Sequence, residues 1–275
     1  MTTTQLRMGF IEYLNTLPVY YGIKSGKITL PCQLIHGNPV SLNQKIHQDE
    51  LDISVISSFE YALNPSRYYV FPDLSISADG PVNSIYLFSN YPLDQIQGKI
   101  YLTSESYTSV QLARYLLKEH EESLTFIEGN RPPSSELDGE LLIGDSAIRK
   151  YYYPEFRYAY DLSDLWKQKT GLPFVFALWV VRRTVYQEFP EIVDHIAKTL
   201  LVSRELSRQH YQEIAETYFS GIFPTVNDCL FYLENLRYEL SDRFQKGFHH
   251  FQQCCVDMGR LNNVSPLFFI ESRNN

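Results

Sequence analysis

The sequence is poor in features that commonly announce a function. Cysteine is scarce, with four in 275 residues, and Cys32, Cys229, Cys254 and Cys255 follow no disulfide-framework spacing. Adjacent cysteines such as Cys254 and Cys255 rarely form a structural bridge, so reduced thiols in a cytoplasmic protein are expected. No apolar run approaches the roughly 18 to 20 residues a spanning helix needs. The longest, Leu172–Val181, is a strand's length. The opening MTTTQLRMGF carries no stretch or cleavage pattern of a secretory signal, so neither export nor membrane insertion is expected. Clusters of Lys and Arg are missing and the formal charge is −8, which disfavours a nucleic-acid surface. There is no Gly-rich phosphate loop, no GxSxG elbow, no internal repeat and no low-complexity segment.

What is present is ordinary globular composition, 44% hydrophobic and 20% charged, in a chain long enough for a large core. Short apolar runs alternate with amphipathic ones, the pattern of parallel strands joined by helices. Strands are predicted over Arg7–Tyr13, Leu30–Ile35, Leu51–Ile56 and Val82–Ser89, with helices over Leu17–Ile23, Val40–His47 and Phe59–Leu63. The Tyr91-Pro92 break opens a second unit. It has strands at Lys99–Thr103, Leu124–Ile127 and Leu141–Gly144, a helix over Tyr107–His120, and a long returning strand, Phe174–Val181. From Pro190 the chain reads as helical, ending in a helix over Asp242–Met258. The apolar tail Leu261–Ile270 suits either coverage of its own lobe or a homodimer contact, so the oligomeric state stays open between monomer and homodimer. This divides the chain into an outer lobe of residues 1–90 and 181–275 and an inserted lobe of residues 91–180. Two crossovers then act as hinges near Ser89-Asn90 and Val180–Arg182, with a ligand cleft at the strand ends.

Small polar residues gather where strands should pass into helices. The segments are Tyr13-Leu14-Asn15-Thr16-Leu17-Pro18, Ser57-Ser58-Phe59-Glu60, Thr103 to Ser109, and Gly144-Asp145-Ser146. Helix starts offer unpaired N–H groups and partial positive charge, so several converging on one cleft suit a dianion without Lys or Arg. Each segment alone also fits plain helix capping: Ser57 with Glu60 has the form of a capping box, and Ser106 or Asp145 has the form of an N-cap. The hydroxyl density between Thr103 and Ser109 exceeds what one cap needs. His249-His250 with Cys254-Cys255 resembles half a zinc site, but no second half has suitable spacing, so no metal is expected. The many tyrosines and both tryptophans, Trp166 and Trp179, read as packing residues.

Together the stretches YLNTLPVYYG (13–22), ELDISVISSFEYALN (50–64), PDLSISADGPVNSIYLFS (72–89), LTSESYTSVQLARYLL (102–117), LLIGDSAI (141–148) and YDLSDLWKQKTGLPFVFALWVVR (160–182) resemble the chorismate dehydratase family of the futalosine route to menaquinone. The resemblance implies an α/β, two-lobed periplasmic-binding-protein-like (type 2) fold with an interlobe cleft and C-terminal helices. It implies a lyase that converts chorismate to 3-[(1-carboxyvinyl)oxy]benzoate and water, with no cofactor and a small molecule as its partner. By the same resemblance Asn15 and Ser84 are the catalytic positions, and Ser57, Thr103, Ser104, Ser106, Thr108 and Asp145 bind substrate. The matched motifs hold many neutral donors and few bases. The expectation is that the substrate's own enolpyruvyl carboxylate takes the ring proton, with Glu12 structural. The sister 1,4-dihydroxy-6-naphthoate synthase is disfavoured, since no histidine falls in a matched motif. A solute-binding or sensing protein on the same fold is the non-enzymatic alternative.

Overall fold

The structure, a computed structural model, describes residues 5–271. The first lobe begins with β1 (Leu6–Phe10), α1 (Leu17–Lys24), β2 (Cys32–His36), α2 (Pro39–His47), β3 (Ile53–Ser57), α3 (Ser58–Leu63) and β4 (Tyr68–Ala78). The second lobe runs through β5 (Ile85–Ser89), β6 (Gly98–Leu102), α4 (Tyr107–Leu116), β7 (Leu124–Ile127), β8 (Gly139–Ile143), α5 (Gly144–Tyr152), β9 (Tyr158–Asp161) and α6 (Leu162–Thr170). The chain returns by β10 (Phe174–Arg182) and finishes in α7 (Arg183–Glu188), α8 (Pro190–Arg208), α9 (Tyr211–Tyr218), α10 (Val226–Asn235) and α11 (Asp242–Asp257).

Two five-stranded sheets result, ordered β2-β1-β3-β10-β4 and β7-β6-β8-β5-β9. Both are mixed rather than parallel. β10 runs antiparallel between β3 and β4, and β5 runs antiparallel between β8 and β9. Strand pairing therefore differs from the division drawn at residues 90 and 180. β5 belongs to the second sheet and β10 to the first, so the chain crosses between sheets over residues 79–84 and 171–173. The expected hinge positions, Ser89-Asn90 and Val180–Arg182, lie at strand ends inside each sheet instead. Apolar runs locate strands but carry no sign of which sheet they join.

β4 was hidden by its own sequence. Pro72 and Asp73 interrupt it, Asp73 with φ of 54°, and the register against β10 shifts there. A strand tolerates proline and a bulge at a sheet edge, where the N–H is not needed by a neighbour. That edge is nevertheless covered. Ser75 and Ser77 N–H donate to the carbonyls of Tyr238 and Arg237, and Val70 N–H to that of Phe268. Leu261, Leu267 and Ile270 are buried within the chain, so the apolar tail covers its own lobe.

Both tryptophans are core residues with their N–H groups satisfied. Trp179 donates to the Tyr20 hydroxyl at 3.0 Å and Trp166 to the Pro173 carbonyl at 3.2 Å. The C-terminal helices brace both lobes. α8 lies on α1, where Ser203 Oγ accepts from Gly22 N–H at 2.9 Å. α11 lies on β10 and reaches α4 and α6, with His250 and Phe251 against Trp166. From the α9–α10 connection, Phe223 meets Tyr152 and the Gly221 carbonyl accepts from Arg149, both on α5.

Candidate active site

The turn after β1 is drawn tight by Thr16, whose buried hydroxyl donates to the carbonyls of Ile11 at 2.6 Å and Tyr13 at 2.9 Å. This fold-back places Asn15 just before α1, on the wall of the cavity. Its carbonyl accepts from the Tyr238 hydroxyl at 2.8 Å. Its side-chain Oδ1 is buried and finds no hydrogen-bond partner among the described residues. Buried polar atoms are nearly always paired, so an orphan of this kind marks a position that a ligand can complete.

Three further turns meet Asn15 around one cavity of about 610 Å³, a volume that includes its open mouth. Ser57 caps α3, its Oγ accepting from Glu60 N–H at 3.2 Å. Ser106 caps α4, accepting from Ser109 N–H at 3.1 Å and donating to Ser109 Oγ at 2.9 Å. Ser84 is buried just before β5, near the buried Tyr232, with its hydroxyl donating to the Val82 carbonyl at 3.5 Å and its own carbonyl accepting from Gly144 N–H at 2.8 Å. Val55, Ile76, Val82, Ile85 and Phe176 supply apolar walls. The cavity thus offers hydroxyls and an amide at its polar positions and hydrocarbon between them, which fits a ring bearing anionic groups.

The remaining expected positions stand elsewhere. Thr108 is fully buried and its Oγ1 accepts from Phe59 N–H at 3.0 Å, with Ser58 Oγ at 3.3 Å. It joins α4 to α3, so it fastens the lobes and has no hydroxyl left over for the cavity. Thr103 Oγ1 accepts from Glu105 N–H at 3.2 Å and holds its own loop. Ser104 is exposed and does not line the cavity. Asp145, in the first turn of α5, lines a neighbouring cavity of about 400 Å³ together with Glu12, Lys24 and Tyr218. The two cavities share Ile11, Tyr13 and Thr16 as a partition. Glu12 is exposed there and pairs with Lys24 at 3.8 Å and His36 at 3.5 Å.

Several lining residues were not singled out in sequence. Tyr13, Glu105, Ser109 and Phe176 lie inside the quoted motifs but resemble packing or loop residues by type. Among the described residues Glu105 is the only charged one on the main cavity, where no Lys, Arg or His appears. Burial, and then the charge of Asp145, push its carboxyl above the usual range. Burial also pushes the Tyr13 phenol up to about 12, with Glu105 and Asp145 adding to the effect. Tyr232 and Tyr238 support the site from the C-terminal third, where no motif signalled them. Among the described residues no group of three or more His, Cys, Asp or Glu is placed to hold a metal ion. Cys254 and Cys255 are buried in α11.

Two mixed sheets joined by two crossovers, with a cavity at the junction, define a protein of the periplasmic-binding-protein-like class. Solved structures agree on that fold. A protein of Archaeoglobus fulgidus superposes with a TM-score of 0.74 at 16% identity, covering 94% of this chain and 99% of that one. The alkanesulfonate-binding protein of Xanthomonas axonopodis pv. citri, bound to MOPS, gives 0.71 at 12% identity, covering 97% of each. Sequence relatives are more specific. The chain is 31% identical over 265 residues to the chorismate dehydratase of Thermus thermophilus, covering 90% of this chain and 93% of that protein. It is 27% identical over 256 residues to the chorismate dehydratase of Campylobacter jejuni, covering 90% and 96%. The menaquinone biosynthesis family matches residues 6–257. The chain belongs to that family and, within it, to the chorismate dehydratases.

Proposed function

We propose that the protein is a hydro-lyase that dehydrates chorismate to 3-[(1-carboxyvinyl)oxy]benzoate and water, acting in the cytoplasm on the futalosine route to menaquinone. One observation carries the reading: Asn15, Ser57, Ser84 and Ser106, from four separate turns and both lobes, line a single cavity. Family membership supplies the substrate.

The reaction removes the proton at C3 and the hydroxyl at C4, and the ring becomes aromatic. Aromatisation provides the driving force, and the protein's task is orientation, proton transfer and help for the leaving group. The enolpyruvyl carboxylate lies close enough to C3 to take its proton. Asn15 orients that carboxylate through its amide N–H, while the unpaired Oδ1 accepts from the C4 hydroxyl. The N-terminal N–H groups of α4 and the hydroxyls of Ser106 and Ser57 hold the ring carboxylate, and Ser84 fixes the ring edge. Closure about residues 79–84 and 171–173 excludes water from this arrangement.

The test is incubation of purified protein with chorismate while aromatic ultraviolet absorbance is followed, with chromatography of the product. Absorbance rising with stoichiometric release of the enolpyruvyl benzoate supports the assignment. Tight chorismate binding with no product in any buffer defeats it and favours a solute-binding role.

A further inference from the structure

Among the described residues, the cavity proposed to take a doubly negative substrate has one charged side chain on its wall, and that charge has the wrong sign. Glu105, an exposed residue of the turn that leads into α4, lines the cavity together with Ser106, Ser109 and Tyr13. Among the described residues its backbone N–H donates to Thr103 Oγ1 and its carboxylate makes no hydrogen bond or ion pair. The groups that face it do nothing to neutralise it. Asp145 at the start of α5 adds a second negative charge, and Tyr13 is a neutral phenol. Arg149 acts on Asp145 rather than on Glu105, and Lys24, across the partition, is paired with Glu12. A third carboxylate and a fourth, brought in by chorismate, would face Glu105, which is exposed in the open cavity, and closure of the lobes would strengthen that repulsion by excluding water.

We propose that Glu105 takes up a proton when the substrate binds and, as a carboxylic acid, gives that proton to the departing C4 hydroxyl. The inference rests on the chorismate reading of the cavity. Its neighbourhood already raises the pKa of this exposed carboxyl before any ligand arrives, through partial desolvation first and the charge of Asp145 second. Substrate charge completes the shift. The acid then supplies what the amide and hydroxyls of the cavity cannot, a transferable proton near neutral pH.

The step balances without an outside reagent. The C3–H bond breaks and its proton passes to the enolpyruvyl carboxylate, while its electron pair becomes the new ring double bond. The C4–O bond breaks as the hydroxyl takes the proton from Glu105 and leaves as water. Glu105 is left as a carboxylate, and the proton on the enolpyruvyl carboxylic acid returns to it. Chorismate has become product plus water, and Glu105 stays protonated until the product departs.

Two measurements test this. The first is calorimetric titration of wild-type protein with the product benzoate, a dianion that cannot turn over, in phosphate and in Tris near pH 7. The expected result is uptake of close to one proton per site, with affinity falling towards about tenfold per pH unit as pH rises. The second is E105Q, which keeps the shape and loses the proton. It is expected to bind the product with no proton uptake and no such pH slope, and to lose about 100-fold or more in kcat. Absence of proton uptake by wild type that binds, or E105Q that keeps kcat within a few-fold, overturns the proposal while leaving the dehydratase assignment standing. Wild type that neither binds product nor converts chorismate overturns both. The proton count on wild type decides the matter even where E105Q folds poorly.

Discussion

Asn15 pays for its place: a buried amide oxygen without a partner costs the free protein on the order of 1–3 kcal/mol. Asn15→Ala removes that cost together with the amide proposed to orient the substrate. The variant is expected to lose about 100-fold or more in kcat while its denaturation midpoint stays level or rises, a combination read by paired kinetic and urea-unfolding measurements. A drop in stability with little change in rate would assign Asn15 to the fold instead. Tyr238 acts one step back, its hydroxyl holding the Asn15 carbonyl at 2.8 Å. Tyr238→Phe should cost about 1 kcal/mol of stability and less than tenfold in kcat. Asp161 anchors the first crossover, accepting from Asn83 N–H at 2.7 Å and from Ser163 and Asp164 N–H at the start of α6. Burial nevertheless raises its pKa from 3.8 to about 6. The folded protein therefore holds a proton that the unfolded chain has released between those values. Asp161's contribution is complete below about pH 4 and fades as pH rises through about 6. Urea midpoints of wild type should fall across that window more steeply than those of Asp161→Asn.

Among the elements, α3 and α4 approach from opposite lobes and are joined through Thr108, the sole acceptor given to Phe59 N–H by a side chain. Thr108→Val keeps the volume and leaves that buried N–H unpaired, a loss of about 1–3 kcal/mol. Because the bond bridges the lobes, hydrogen exchange at Phe59 should quicken more than exchange within β6 or β3, a local signature that a purely global loss of stability lacks. Thr108 also illustrates what the sequence conceals. Its place in TSESYTSV matches its neighbours Ser106 and Ser109, and only the packing of α3 against α4 withdraws it from the cavity. The caps were legible because Ser57 and Ser106 precede helices at the spacing capping demands. β4 was not, since Pro72 and Asp73 break the alternation that identifies a strand, and its edge position cannot be known before the sheet is assembled. Tyr232 and Tyr238 were unreadable for a related reason. Tyr238 bonds to Asn15, and Tyr232 lies near Ser84, across more than a hundred residues of chain, and no local pattern encodes such proximity.

At the scale of the whole molecule, a chain of net charge −8 is proposed to receive a dianion in a cavity that has no Lys, Arg or His among the described residues. Long-range repulsion slows encounter, and added salt screens it. kcat/KM for chorismate should therefore rise between about 20 mM and 200 mM salt, by a few-fold at most, whereas a lysine- or arginine-lined site would lose affinity over the same range. The two-lobed plan itself was legible from alternating runs and the long return strand Phe174–Val181. Where the chain changes lobe was not, because membership in a sheet depends on hydrogen bonds between distant strands.

The placing of β10 has a consequence for the order in which the molecule is made. The strands of the second sheet, β5 to β9, occupy one uninterrupted stretch, residues 85–161, and α6 follows directly. The first sheet needs β10 in its interior, between β3 and β4, and then residues 237–238 and 268–270 along its outer edge. On the ribosome the inserted lobe is thus able to close while the earlier-made lobe still waits with a gap at its centre. That older half is sealed later, by β10 and by residues 237–238 and 268–270, all made after the second sheet is complete.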